Sequence, residues 1–91
     1  MENIDLILQE YRNQIDTMDR EIVYLLSRRF SAVKSIWDIK KLNNINALQP
    51  WRWQEVIDKL KENWDEFWVD FDFLENIWNL IHKEALRLEE K

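Results

Sequence analysis

Between Tyr11 and Lys41 the sequence reads YRNQIDTMDREIVYLLSRRFSAVKSIWDIKK, with neither glycine nor proline to interrupt it. Ile15, Met18, Ile22, Leu25, Leu26, Val33, Ile36 and Trp37 recur at steps of three and four, the period that lines one face of an α-helix. The helix extends back to Asp5, an N-cap or first-turn acid, after a frayed start at Met1 to Ile4, and forward to about Leu42. Such a helix is about 55 Å long, whereas a compact domain of this size has a radius of gyration of about 13 Å. Two shorter helices leave much of its apolar stripe wet. A second copy of the chain is therefore expected alongside, as an obligate homodimer.

Three cations edge or interrupt that stripe. Arg12 stands between Leu8 and Ile15, Arg29 takes the slot between Leu25 or Leu26 and Val33, and Lys40 follows Ile36. A purely structural helix normally carries leucine there. At about 100° per residue, Arg29 and Lys40 point within about 20° of each other and lie about 16 Å apart along the axis, which leaves room for one small anion between two long side chains. Arg12 points about 100° away from Arg29. The helix thus presents cations in two directions, as if to two pockets.

The rest of the chain reads as two further helices. Asn43 and Asn44 suit the left-handed position past a helix end, and Pro50 suits the first turn of the next helix. That helix runs from Pro50 to Asn63 or a little beyond and buries Trp53, Val56, Ile57 and Leu60. Trp64 to Val69 reads as a connector. Asp70 caps a third helix, with Asp72 favourable to its dipole and Phe73, Leu74, Ile77, Trp78, Ile81, Ala85 and Leu88 as its buried stripe. The expected fold is all-α, three helices per subunit, in a single domain over residues 1–91.

Composition excludes several function classes. The absence of cysteine removes disulfides, thiol nucleophiles and thiolate metal sites, and the absence of glycine removes a P-loop or dinucleotide fingerprint. A net charge of -5 opposes nucleic acid or an anionic membrane as the main partner. With 34% charged residues, no secretory signal and no apolar run of membrane-crossing length, a soluble cytoplasmic protein is expected.

The pattern Arg12-x-x-Ile15-Asp16-x-x-Asp19, Leu25-Leu26-x-Arg28-Arg29, Lys40, Pro50-x-Arg52 and Val69-Asp70 resembles the all-helical chorismate mutases, the AroQ class, over nearly the whole chain. The resemblance implies an intertwined homodimer with two active sites, each built mostly by one subunit and completed by the first-helix arginine of the other. It also implies the conversion of chorismate to prephenate, an intramolecular Claisen rearrangement that needs no nucleophile, metal or organic cofactor. Such an enzyme holds a dianion in a near-attack shape and stabilises charge growing on the ether oxygen. By resemblance, Arg12 from the partner subunit and Arg29 bind the carboxylates, Lys40 donates to the ether oxygen and a carboxylate, and Arg52 supports the carboxylate end or the wall of the second helix. Glu89 matches the position that gives the second hydrogen bond to the ether oxygen, which a glutamate supplies only when protonated.

Three positions depart from the family pattern: Gln49 replaces an aspartate, Trp53 a glutamate that recognises the ring hydroxyl, and Ala85 a serine near a carboxylate. An apolar residue directly after the arginine is closer to the related isochorismate pyruvate lyases, which form salicylate within the same helical dimer. That activity is the leading alternative, and a non-catalytic helical dimer is another.

Each residue also has a purely structural reading. Arg29 and Lys40 as snorkelling core-edge residues, Arg12 as a surface partner of Asp16, and Glu89 as a solvated terminal residue all fit the sequence locally. Arg20 and Arg28 read as solvent-facing. His82 reads as a helix-surface or interface residue without metal-ligand spacing, and the tryptophans read as core or interface, with Trp51 and Trp53 placed to close over a ring-shaped ligand.

Overall fold

The computed structural model describes residues 3–46 and 50–89, the side chains of 63–67 excepted. Its elements are α1 (Ile4–Leu42), α2 (Pro50–Phe67) and α3 (Phe71–Glu89), with no strand among the described residues. The chain divides into two compact units, Met1–Val33 and Lys34–Lys91, with the boundary inside the sequence of α1. No helix of the described residues is long and apolar enough to cross a membrane.

Both ends of α1 follow from asparagines. Asn3 Oδ1 accepts the Asp5 amide at 3.0 Å and the Leu6 amide at 3.4 Å, and the Asn3 carbonyl accepts the Ile7 amide at 3.2 Å. Asn3 is therefore the N-cap. Ile4 is helical, which corrects the frayed start expected through that residue, and of the two roles expected for Asp5 it takes that of the first-turn acid, where its charge favours the dipole without capping.

At the other end the Ile45 amide bonds to the Lys40 carbonyl at 2.9 Å and the Asn44 amide to that of Lys41 at 3.5 Å. Asn44 takes a φ of 54°. This is the Schellman arrangement, in which a left-handed residue turns the chain so that orphan carbonyls are satisfied. The Asn43 side-chain amide adds a bond to the Ile39 carbonyl at 2.8 Å.

In the first unit the apolar stripe of α1 is open. Ile15 is 52% exposed, Met18 50%, Ile22 55% and Leu25 58%, and no residue of the entire 39-residue helix is buried. A surface helix normally turns such a stripe to a core. Alone, this one leaves it in water.

In the second unit α2 packs on α3. Trp53, Val56, Ile57 and Leu60 follow the expected spacing on α2, with Ile57 buried at 7% exposure and the others half-buried. On α3 the facing residues are Leu74, Ile77, Trp78, Ile81 and Ala85, with Ala85 buried at 8%. Phe73 and Leu88, expected in the same stripe, are exposed instead. Phe73 lies at the edge of the helical arc that one neighbour covers, whereas Leu88 lies within that arc but in the last turn of α3.

The expected connector from Trp64 to Val69 is also corrected, because α2 continues to Phe67. No breaker lies in Asn63–Phe67, and the helix stops only where Trp68 enters the left-handed region at φ 57°. A tryptophan there carries the steric cost that glycine avoids, and it is 97% exposed, so little packing offsets that cost. Trp68→Gly is expected to stabilise the protein by about 1 kcal/mol. At fixed protein concentration this appears as a higher urea midpoint with an unchanged slope. A lower midpoint instead means that the indole is covered in the assembled protein.

Candidate active site

Arg12 and Arg29 belong to the first unit. Arg12 is exposed, and among the described residues it forms no ion pair, so the purely structural reading of it as a surface partner of Asp16 is not met. Arg29 is half-buried, whereas Arg28 next to it is exposed and lies 5.8 Å over the Tyr24 ring. Successive helical residues point about 100° apart. The pair thus divides into an outward arginine held by a ring and an inner one on the edge of the stripe. Arg20 is also solvent-facing and donates to Thr17 Oγ1 at 3.2 Å.

Lys40, Arg52, Trp53, Ala85 and Glu89 belong to the second unit. Lys40 is half-buried in the last turn of α1, where the negative end of the helix dipole favours a cation. Its backbone carbonyl is part of the Schellman turn, so its Cα is fixed by bonds that do not involve the ammonium. Arg29, Lys40 and Glu89 all have interaction partners. Gln49 lies outside the described residues.

Arg52, in the first turn of α2, donates to Glu55, one turn ahead on the same exposed face. Exposed pairs of this kind contribute about 0–1 kcal/mol. An incoming carboxylate that grips the same guanidinium therefore displaces little. Trp51 beside it is 62% exposed.

Trp53 is committed in another way. Its ring stacks on that of His82 from α3, with centroids 4.6 Å apart and planes at 29°. Both residues are half-buried. His82, Ala85 and Glu89 follow one another at steps of three and four, which puts them on one face of α3. Trp53 therefore meets α3 on the face that also bears Ala85 and Glu89. Ala85 brings no polar group to that face. Glu89, the last residue of α3, is half-buried.

The His82 pairing escaped the sequence reading, which looked for metal-ligand spacing. Its signal was the shared face with Ala85 and Glu89. Arg87 lies on a different side of α3, where its Nε donates to both Glu84 oxygens at 3.1 and 2.9 Å. Hydrogen bonding to Glu84, then the charge of the same carboxylate, raises the Arg87 pKa. This exposed fork is a surface pair and takes no part in the face around Trp53.

Within the second unit, Lys40 and Arg52 are cationic donors and Glu89 is a carboxyl group. These residue types suit the binding and polarisation of an anionic ligand better than attack by a nucleophile.

Comparison with known proteins adds an independent line. The family model described as chorismate mutase type II matches residues 11–90. The chain is also similar to a protein of Aquifex aeolicus (strain VF5) named bifunctional chorismate mutase/prephenate dehydratase, at 34% identity over 87 residues. That alignment covers 92% of this chain and 24% of the relative, so the chain spans about a quarter of the relative's length. No solved structure matches the chain significantly.

Proposed function

Since the chain belongs to the chorismate mutase type II family, we propose that it is a cytoplasmic chorismate mutase, acting as an intertwined homodimer in aromatic amino acid biosynthesis. The observation that carries the reading is the span of the family match. It takes in Arg12, Arg29, Lys40, Gln49, Arg52, Trp53, Ala85 and Glu89, every residue the resemblance assigns to the substrate. The bare stripe of α1, with no buried residue, supports the dimer. A second copy removes that apolar surface from water, at roughly 25 cal/mol per Å² covered.

The rearrangement breaks the ether C–O bond of chorismate as a C–C bond forms, and negative charge grows on the departing oxygen. Arg29 and the partner's Arg12 grip the two carboxylates, since planar guanidinium forks match carboxylate geometry. Arg52 supports the carboxylate end. Holding the dianion compact removes rotational freedom that the free substrate must lose on its own. Lys40 and a protonated Glu89 donate to the ether oxygen, where their hydrogen bonds strengthen as the transition state is approached.

The test is loss of chorismate absorbance with product identification by chromatography, and prephenate is the expected product. Salicylate from isochorismate, with no turnover of chorismate, replaces this reading with the lyase. Silence on both substrates leaves a non-catalytic helical dimer.

Glu89 makes the activity pH-dependent. A carboxyl group donates only in its protonated form, so the rate is highest below its pKa and falls by up to about tenfold per pH unit above it. Glu89→Gln keeps a donor at every pH, and its rate profile between about pH 5 and 8 is expected to be flat. A profile that slopes equally in both proteins removes Glu89 from the ether oxygen.

A further inference from the structure

The contact between Trp53 and His82 is a side-chain interaction that ties α2 to α3 on the face leading to Glu89. Trp53 directly follows Arg52 in the first turns of α2, and a bare indole at that point has several rotamers open to it. The imidazole removes that freedom. With centroids 4.6 Å apart and planes at 29°, it stacks on the indole from α3. Offset stacking of this kind adds to what burial alone contributes.

We propose that His82 is a positioning residue for the substrate. It fixes the orientation of Trp53, which forms a wall for the ring of the bound dianion, and it acts through the indole without touching the ligand itself. This rests on the mutase reading. The sequence position is suited to the task. His82 lies seven residues before Glu89, about 10 Å along α3, so the wall stands apart from the donor on the same face. The flat shape of the imidazole carries the effect, and its charge and hydrogen bonding are incidental.

A wall that contacts substrate and transition state alike changes KM and leaves kcat in place. In the full-length protein, His82→Ala is expected to raise KM for chorismate by about threefold to tenfold, with kcat within about twofold of the parent. His82→Phe keeps a flat ring and is expected to restore the parental KM. His82→Gln keeps polarity without the ring and is expected to resemble alanine. Combined with Trp53→Leu, His82→Ala is expected to add nothing to the KM of Trp53→Leu alone, because the wall is already gone.

An unchanged KM in His82→Ala, rescue by glutamine and not by phenylalanine, or multiplying effects in the double variant overturns the proposal. If His82→Ala does not fold, the phenylalanine and glutamine variants still decide. A parent that turns over no chorismate overturns the mutase reading and this inference with it. That failure is distinct, since it appears in the unmodified protein.

Discussion

Lys40→Ala is expected to lower kcat for chorismate by about 10²- to 10³-fold, the effect of removing one preorganised donor from a developing oxyanion. KM should change far less, because the hydrogen bond to the ether oxygen strengthens mainly as charge develops there. The structure separates this chemistry from folding. The bonds that end α1 use the Lys40 carbonyl, which alanine retains, and alanine is at least as good a helix former as lysine. Lys41→Ala is the control: it removes an exposed ammonium one residue on and should leave the rate near that of the parent. A Lys40→Ala protein that is folded and turns over at the parental rate removes Lys40 from the mechanism. An equal loss in Lys41→Ala reduces the effect to general charge.

The second large effect concerns Arg12. Arg12→Ala alone is expected to be nearly inactive, since a carboxylate loses its bidentate partner. Mixing it with the equally impaired Lys40→Ala, under conditions that let subunits exchange, is expected to restore activity. In a two-fold dimer with crossed-over arginines, each mixed dimer has one site with both lesions and one site with neither. Random pairing then leaves about one quarter of all sites intact.

If Arg12 served the site of its own subunit, every site in the mixture would carry a lesion and activity would stay at the level of the variants. Sedimentation adds a second readout. A folded monomer at micromolar concentration contradicts the dimer and the crossing together. The open stripe of α1, with Ile15, Met18, Ile22 and Leu25 all at least half exposed, is the physical reason to expect the dimer.

Much of the fold was legible because its signals are local. The end of α1 at Leu42 and the start of α2 at Pro50 come from residues whose backbone preferences act within a few positions. Asn44 in the left-handed region was readable on the same ground. The start of α1 was less so, because Asn3 and Asp5 are both good capping residues and only the hydrogen bonds choose between them. Trp64 to Phe67 continue α2 where a connector is expected, because nothing in those residues ends a helix. The end of α2 is set by Trp68 in a conformation its residue type disfavours. Such a choice depends on where α3 must begin, and propensity does not contain it.

The candidate site divides in the same way. The sequence by itself determined three helices, the placement of Arg12, Arg29 and Lys40 along one of them, and the family to which the chain belongs. Helical period and residue spacing are properties of the chain alone, and they survive without any neighbour. Only the tertiary structure decided that Trp53 faces His82 and that Phe73 stays exposed while Ala85 is buried. Those outcomes turn on which arc of α3 the α2 helix covers. A stripe of apolar residues is wider than one helix can bury, and packing selects which part of it leaves water.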